Sequence, residues 1–238
     1  MMLHLIRCSL TVKQSFPKFA VRRFTETRLQ SIFIRPDQQQ TKSTFGMRAE
    51  PSSIVAWYLN RDPREWFRPP AGFDDEIRNK FGDTIIEART GRLNTWAETP
   101  EGSLALIILL DQFPRNIYRQ SSDAYSSDEQ ALGVATKAVA RNFDTYTGRL
   151  HQMLFYMPFM HAEDLLAQVA CRVLFKRLAS ECPEESKHSQ FIRMASGFAE
   201  SHLDCIQVLG RFPKRNDSLG RSTTEEEHQW LLKYPGGF

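Results

Sequence analysis

Two short segments about a hundred residues apart combine the same residue types in nearly the same order. Each is an apolar run that reaches Phe-Pro and is followed closely by Arg-Asn: Leu109–Asn116 in the first and Val208–Asn216 in the second. Proline is unfavourable inside a helix and restricts the residue before it, so each of these Phe-Pro segments predicts a helix C-terminus. A guanidinium and an amide presented there could bind a carboxylate or a phosphate.

The two Phe-Pro segments supply most of the predicted ligand contacts. If the fold brings them together, their side chains would line one pocket for an anionic small molecule or peptide. The predicted ligand-binding residues are Asp111, Gln112, Arg115, Asn116, Arg211, Arg215, Asn216, Arg221 and Trp66. A competing interpretation is that the arginines only cap helix C-termini and pair with acids such as Asp111.

Candidate acid–base groups lie outside these segments. They are His161, Glu163, Asp164 and His202. An imidazole titrates near neutral pH, and a carboxylate close to it could orient it. The alternative is that the acids cap a helix and the histidines only hydrogen-bond. The spacing does not match the zinc motif HExxH, because His161 and Glu163 are two positions apart and would point to different faces of a helix.

Other chemistry-bearing patterns give weaker signals. Asp111 ends an apolar run, so its carboxylate needs a partner, and Arg115 is four positions away. Trp57, Trp66 and Trp96 could form the floor of a pocket or belong to the core. The chain has no Gly-rich phosphate loop, GxSxG motif or Cys–His catalytic motif, and the sequence predicts no cofactor and no metal site.

Helical periodicity dominates from Pro51 onward and predicts about eight helices. Thr99-Pro100-Glu101 is a helix start, and the run Leu104–Leu110 that follows predicts a buried central helix. Ser127–Gln130 reads as a capping box that opens another helix. Two further helices are predicted to meet near Pro158, and the next is predicted to end at Leu209.

The fold class predicted from this pattern is all-α, with helices in antiparallel pairs that form either a bundle or a repeat-like superhelix. A weak strand signal occurs at Ser31–Arg35. We expect residues 1–48 to be a leader and linker, and residues 49–238 to form a single all-helical domain. No run of apolar residues is long enough to predict a membrane span.

The charge distribution is uneven. Of the 238 residues, the first 35 hold seven bases and one acid, Glu26, whereas the rest of the chain holds 24 bases and 27 acids. A basic, acid-poor leader with hydroxyl residues is typical of a mitochondrial presequence. A cytoplasmic location is the alternative, especially if translation starts at Met47. The mildly acidic domain gives no support to nucleic-acid binding.

The four cysteines are Cys8, Cys171, Cys182 and Cys205, and none forms a CxxC pair. This spacing indicates neither a zinc framework nor a disulfide scaffold. Reduced thiols in the matrix or the cytosol are expected.

Several segments together resemble the domain-of-unknown-function 924 family of bacterial and fungal proteins. The most specific is Leu109–Arg119. The others are Asp62-Pro63 with Trp66-Phe67, Phe73-Asp74, Trp96–Pro100, Phe155–Asp164, and His202 followed by Gly210–Thr223. The resemblance covers roughly residues 54–232 and implies an all-helical fold similar to tetratricopeptide-repeat proteins. It implies no established activity, and the leader lies outside the family pattern.

Two functions follow as hypotheses. The first is a helical domain that binds an anionic small molecule or peptide in an arginine-lined cleft. The second is a small-molecule enzyme that uses histidine and Asp/Glu groups beside the arginines. Whether the protein is an enzyme, and its oligomeric state, stay open at this point.

Overall fold

The computed structural model describes residues 48–66, 68–186 and 188–235. Within these ranges all regular secondary structure is helical, which confirms the all-α prediction. The α-helices are α1 (Pro51–Leu59), α2 (Phe73–Arg89), α3 (Pro100–Ile107), α4 (Phe113–Ile117), α5 (Asp128–Ala140), α6 (Arg149–His161), α7 (Leu165–Glu181), α8 (Ser189–Leu209) and α9 (Glu225–Lys233). α3 and α4 are continuous through a π-helical segment and count as one stretch. The nine α-helices of the described residues therefore form eight helical stretches, as expected.

The central helix begins as predicted but does not end at the first Phe-Pro segment. Thr99 caps α3 by accepting from the N–H of Gly102 at 3.1 Å, and Leu104–Leu110 is fully buried. A π-helical segment, Ile108–Gln112, then leads directly into α4. Pro114 lies in the first turn of α4, where a proline is tolerated. The prediction of a helix C-terminus at this proline was therefore wrong.

Ser127 occupies the N-cap position of α5, but its side chain makes no capping hydrogen bond, which corrects the predicted capping box. Its hydroxyl donates instead to the carbonyl oxygen of Leu110 at 2.7 Å. In a regular α-helix that carbonyl would accept the N–H of residue 114, and Pro114 has none. The serine thus satisfies a carbonyl in the central helix, and this contact positions the start of α5 beside α4.

The second Phe-Pro segment does end a helix. α8 stops at Leu209, Gly210 adopts a left-handed conformation with φ of 70°, and Pro213 begins a short 3₁₀ turn. Pro158, in contrast, lies inside α6, and the break predicted near it falls at residues 162–164. α6, α7 and α8 pack successively against one another, which brings the end of α8 back towards the end of α6.

The main apolar core is built from α1 to α8 around the central helix. Trp66 belongs to this core: its ring stacks on Tyr58 with centroids 5.0 Å apart, and its indole N–H donates to the backbone oxygen of the same residue. Cys171, Cys182 and Cys205 are buried free thiols. In the described part of the chain, no helix combines the length and apolarity that crossing a membrane requires.

Several predictions fall on residues outside the described ranges. They concern the leader, the weak strand at Ser31–Arg35 and Cys8. The domain boundary at residue 48 and the mitochondrial address therefore stay predictions.

Candidate functional site

The two Phe-Pro segments meet at one carboxylate. Asp128, the first residue of α5, accepts two hydrogen bonds from Arg115, at 2.8 Å from Nη1 and 2.9 Å from Nη2. Its Oδ2 also lies 3.3 Å from Nη1 of Arg215. The fold therefore brings the two Phe-Pro segments together: Arg115 and Arg215, far apart in the chain, share one ion-pair cluster.

Arg215 is held rigidly in this cluster. Its guanidinium Cζ lies over two aromatic rings, 4.7 Å from the ring centroid of Tyr125 and 4.6 Å from that of Phe212. Its Nη2 donates at 2.8 Å to the backbone oxygen of His161, the last residue of α6. Arg215 therefore also caps a helix C-terminus, that of α6, as the competing interpretation of the sequence predicted. A guanidinium over an aromatic ring can still donate hydrogen bonds through its N–H groups.

His161 forms a pair with a fully buried acid. Its Nδ1 lies 2.8 Å from Oδ1 and 3.0 Å from Oδ2 of Asp111 in the π-helical segment. Arg115 contacts the same Oδ1 at 3.3 Å, which confirms the predicted pairing four positions apart. Gln112 donates to the other carboxylate oxygen and accepts at 3.0 Å from the hydroxyl of Tyr58. A chain of hydrogen bonds therefore runs from the core to the imidazole.

The charges around this pair determine its protonation. Burial raises the pKa of the Asp111 carboxyl, but Arg115 and His161 outweigh burial and hold that pKa well below its usual range. Burial and the charge of Arg115 lower the pKa of His161, although Asp111 opposes the shift. Near neutral pH the pair is therefore a carboxylate and a neutral imidazole.

A cavity of about 310 Å³ opens beside this cluster. We call it the arginine cavity, and its lining is Arg115, Arg119, Gln120, Ala124, Tyr125, His161, His202 and Arg215. His202 hydrogen-bonds through Nδ1 to the backbone oxygen of Phe198 at 2.7 Å, and burial lowers its pKa to about 3. Four of the predicted site residues thus line one cavity.

Other predicted residues form a separate network that ties α9 and the second Phe-Pro segment to the start of α7. Arg221 forms two bonds to Glu163, at 2.6 and 2.9 Å, and Glu163 also accepts from the backbone N–H of Phe212. Arg211 pairs with Glu227 at 2.5 Å. Asn216 joins the two pairs, because it donates to Glu227 and accepts from Arg221.

The remaining predicted residues serve local structure. Asn116 donates to the backbone oxygen of Gln112 and accepts from Arg119. Asp164 caps α7 by accepting from the N–H of Ala167 at 2.7 Å. Asn116, Asp164 and the core residue Trp66 do not line the arginine cavity. They and the residues of the Glu163 network are therefore not among the proposed ligand contacts.

Sequence reasoning missed five residues of this site: Arg119, Gln120, Ala124, Tyr125 and Asp128. Asp128 was assigned only to a helix start, which hid its role between the two arginines. Gln120 adopts a positive φ of 60°, unusual for a residue other than glycine. Tyr125 lies in an irregular connection without periodicity, and its position became apparent only from the packing of Arg115 and Arg215 on its ring.

Comparisons with known proteins place the chain in a family. The model of the family described as "Bacterial protein of unknown function (DUF924)" matches residues 54–235. A solved structure, the protein of unknown function ATU0120 from Agrobacterium tumefaciens, is similar with 36% sequence identity and a TM-score of 0.69. The similarity covers 77% of this chain and 97% of that one. None of the curated proteins matches. The chain therefore belongs to the DUF924 family.

Proposed function

We propose that the arginine cavity binds a small anionic molecule. The observation that carries this proposal is the convergence of Arg115 and Arg215 from distant segments onto one cavity wall. The cavity volume of about 310 Å³ suits a small ligand better than a folded partner, since small-molecule pockets span ~300–1,000 Å³.

Arg215 has hydrogen-bonding capacity left for such a ligand. A guanidinium carries five N–H donors. Within the described residues, Arg215 uses its side chain for two hydrogen bonds, to Asp128 and to the backbone oxygen of His161. A buried cation with unused donors on a cavity wall is a favourable partner for a carboxylate or a phosphate.

The electrostatic environment favours an anion as well. Three basic groups of the cavity have lowered pKa values: His161, His202 and Arg215. Burial is the largest cause for each, and the positive charge of Arg115 adds to it in all three cases. Burial and the charge of Arg115 thus both disfavour the protonated forms of these groups, although Asp111 and Asp128 act in the opposite direction, and a bound anion would offset the charge of Arg115.

The proposal can be tested by calorimetric titration of the full chain with inorganic phosphate and with acetate at low salt. We expect saturable binding that Arg215→Gln weakens at least about tenfold, because a charge-assisted contact is worth roughly 1.5–3 kcal/mol. Arg64→Gln is the matched control, since Arg64 is 84% exposed and lies outside the cavity lining. Equal loss in both variants, or no binding of either anion, would reject the proposal.

The second candidate, a small-molecule enzyme, is favoured by the pair of Asp111 and His161. A buried carboxylate that orients a neutral imidazole beside a cavity is an arrangement suited to general base catalysis. Arg115 and Arg215 would hold the anionic part of the substrate and stabilise negative charge that develops. A screen with carboxylate- and phosphate-bearing metabolites tests this, with His161→Gln expected to lose turnover and the exposed His228→Gln to keep it. Turnover that survives His161→Gln would exclude this role.

A further inference from the structure

The tautomer of His161 is determined by its partner. The Asp111 carboxylate is ionised and can only accept hydrogen bonds, so Nδ1 of the imidazole must carry the proton. Nε2 then carries a lone pair and is a hydrogen-bond acceptor. No hydrogen bond from the described residues reaches Nε2, although His161 lines the arginine cavity. The cavity therefore combines cationic donors with a neutral acceptor.

His161, which carries this acceptor, lies close to both arginines. Arg115 Nη1 and His161 Nδ1 contact the same oxygen of Asp111, at 3.3 and 2.8 Å. Arg215 Nη2 donates to the backbone oxygen of His161 itself. An anionic group bound by these guanidinium groups would thus have its neighbouring atoms next to the imidazole. A compact ligand can reach both the donors and the acceptor.

Asp128 indicates which anion the arginines accept. Its planar carboxylate binds Arg115 through both oxygens, at 2.8 and 2.9 Å, and one of these oxygens also reaches Arg215 at 3.3 Å. A ligand carboxylate has the same shape and charge as Asp128, and Arg215, which makes only one hydrogen bond to Asp128, has donors left to bind it.

The group that donates to Nε2 should be uncharged. A ligand ammonium would lie beside the positive charges of Arg115 and Arg215, which repel it, although Asp111 and Asp128 reduce that repulsion. A hydroxyl supplies the hydrogen bond without this repulsion, because it carries no charge. The two arginines therefore favour a hydroxy acid over an amino acid.

We propose that the ligand of the arginine cavity is a small hydroxycarboxylate, whose carboxylate accepts from Arg215, beside Arg115, while its hydroxyl donates to Nε2 of His161. This inference rests on the proposed anion-binding function and narrows it to one chemical class. Because Arg215 donates to the backbone oxygen of His161, the hydroxyl should lie close to the carboxylate, on the first or second carbon from it.

Matched pairs of ligands test the proposal on the full wild-type chain: glycolate against acetate, lactate against propionate, and glycine as the ammonium analogue. We expect each hydroxy acid to bind about tenfold more tightly than its partner, because a buried acceptor left without its hydrogen bond is costly. Glycine should bind more weakly than glycolate. In His161→Phe, which removes the acceptor, the difference between glycolate and acetate should disappear.

The outcomes separate the two proposals. If acetate and glycolate bind wild type equally, the hydroxyl assignment is wrong while anion binding stands. If glycine binds more tightly than glycolate, or if His161→Phe keeps the preference for glycolate, the ligand hydroxyl does not donate to Nε2 of His161. If no carboxylate or phosphate binds, the proposed function itself fails. The comparison of ligands on wild type decides the question even if His161→Phe does not fold.

Discussion

The hydroxyl of Ser127 donates to the backbone oxygen of Leu110 at 2.7 Å. This contact links the start of α5 to the central helix at the point where Pro114 lacks an N–H. Asp128 follows Ser127 directly, and Asp111 follows Leu110. One hydrogen bond therefore positions two carboxylates of the site, and the arginines are placed relative to both.

Removing this link should cost stability. We expect Ser127→Ala to lower the free energy of unfolding by ~1–3 kcal/mol, because the buried carbonyl of Leu110 loses its donor. Ser126→Ala is the control, since Ser126 is exposed and its hydroxyl donates to the backbone oxygen of the exposed Asp123. This control should change the free energy of unfolding by no more than ~0.5 kcal/mol. Urea denaturation measures both, and equal effects of the two variants would contradict the assigned role.

Breaking the pair of Asp111 and His161 should cost more. Asp111 is fully buried between His161, Arg115 and Gln112. Asp111→Asn leaves Arg115 with reduced compensation, so we expect a loss of ~3–5 kcal/mol in unfolding free energy. Asp74→Asn breaks the exposed pair with Arg119 and should cost at most ~1 kcal/mol. Similar small effects of both substitutions would show that the buried pair contributes little to stability.

The state of His161 can be observed directly by NMR. Nitrogen chemical shifts of the imidazole should show the Nδ1–H tautomer near neutral pH, and the pKa should lie below the ordinary value of 6.5. Its causes are burial and Arg115, so Arg115→Gln should raise the pKa of His161. The exposed His228 provides the reference signal. A protonated or Nε2–H imidazole at neutral pH would contradict the arrangement described for the site.

Stability should fall with acid before the carboxylates titrate. Burial lowers the pKa of His202 to about 3, and the hydrogen bond to the Phe198 carbonyl offsets this only in part. Below pH ~6.5 the unfolded state therefore binds a proton that the folded state does not. His202 makes its full contribution to the free energy of unfolding above that pH. The contribution decreases by ~1.4 kcal/mol per pH unit as the pH falls towards the pKa of His202 in the folded state.

His161 acts in the same direction, whereas the lowered pKa of Asp111 matters only below ~3.9, the usual value for an aspartate. Unfolding free energies measured between pH 7 and pH 4.5 test this. His202→Leu should reduce the slope of unfolding free energy against pH by the equivalent of one proton. An unchanged slope in that variant would show that His202 is protonated in the folded protein.

The leader carries an independent prediction: we propose that residues 1–45 direct the protein to mitochondria, because they are basic and nearly free of acids. A fluorescent reporter fused to these residues should colocalise with mitochondria. Arg22→Glu with Arg23→Glu should abolish import, and exchange of these arginines for lysine should preserve it. A diffuse cytosolic signal from the unaltered leader would reject the proposal.

Much of the helical architecture could be predicted because its signals are local. The cap at Thr99, the buried run Leu104–Leu110 and the end of α8 at Leu209 depend on residues within a few turns of one another. The same local reasoning was wrong at Pro114, since a π-helical segment and a hydroxyl from another element accommodate the proline. No local pattern reports a donor that comes from Ser127.

The sequence alone determined the residue types available for the site, most of the helices and the resemblance to the family, but not α4, which carries Arg115. Only the tertiary structure decided that Arg115 and Arg215 share Asp128 and one cavity with His161, whereas Asn116, Asn216, Arg211 and Arg221 bond within the protein. The physical reason is that hydrogen bonding and periodicity specify helices over short distances. Which helix ends meet depends on how the apolar faces of α4, α6 and α8 pack across the whole domain.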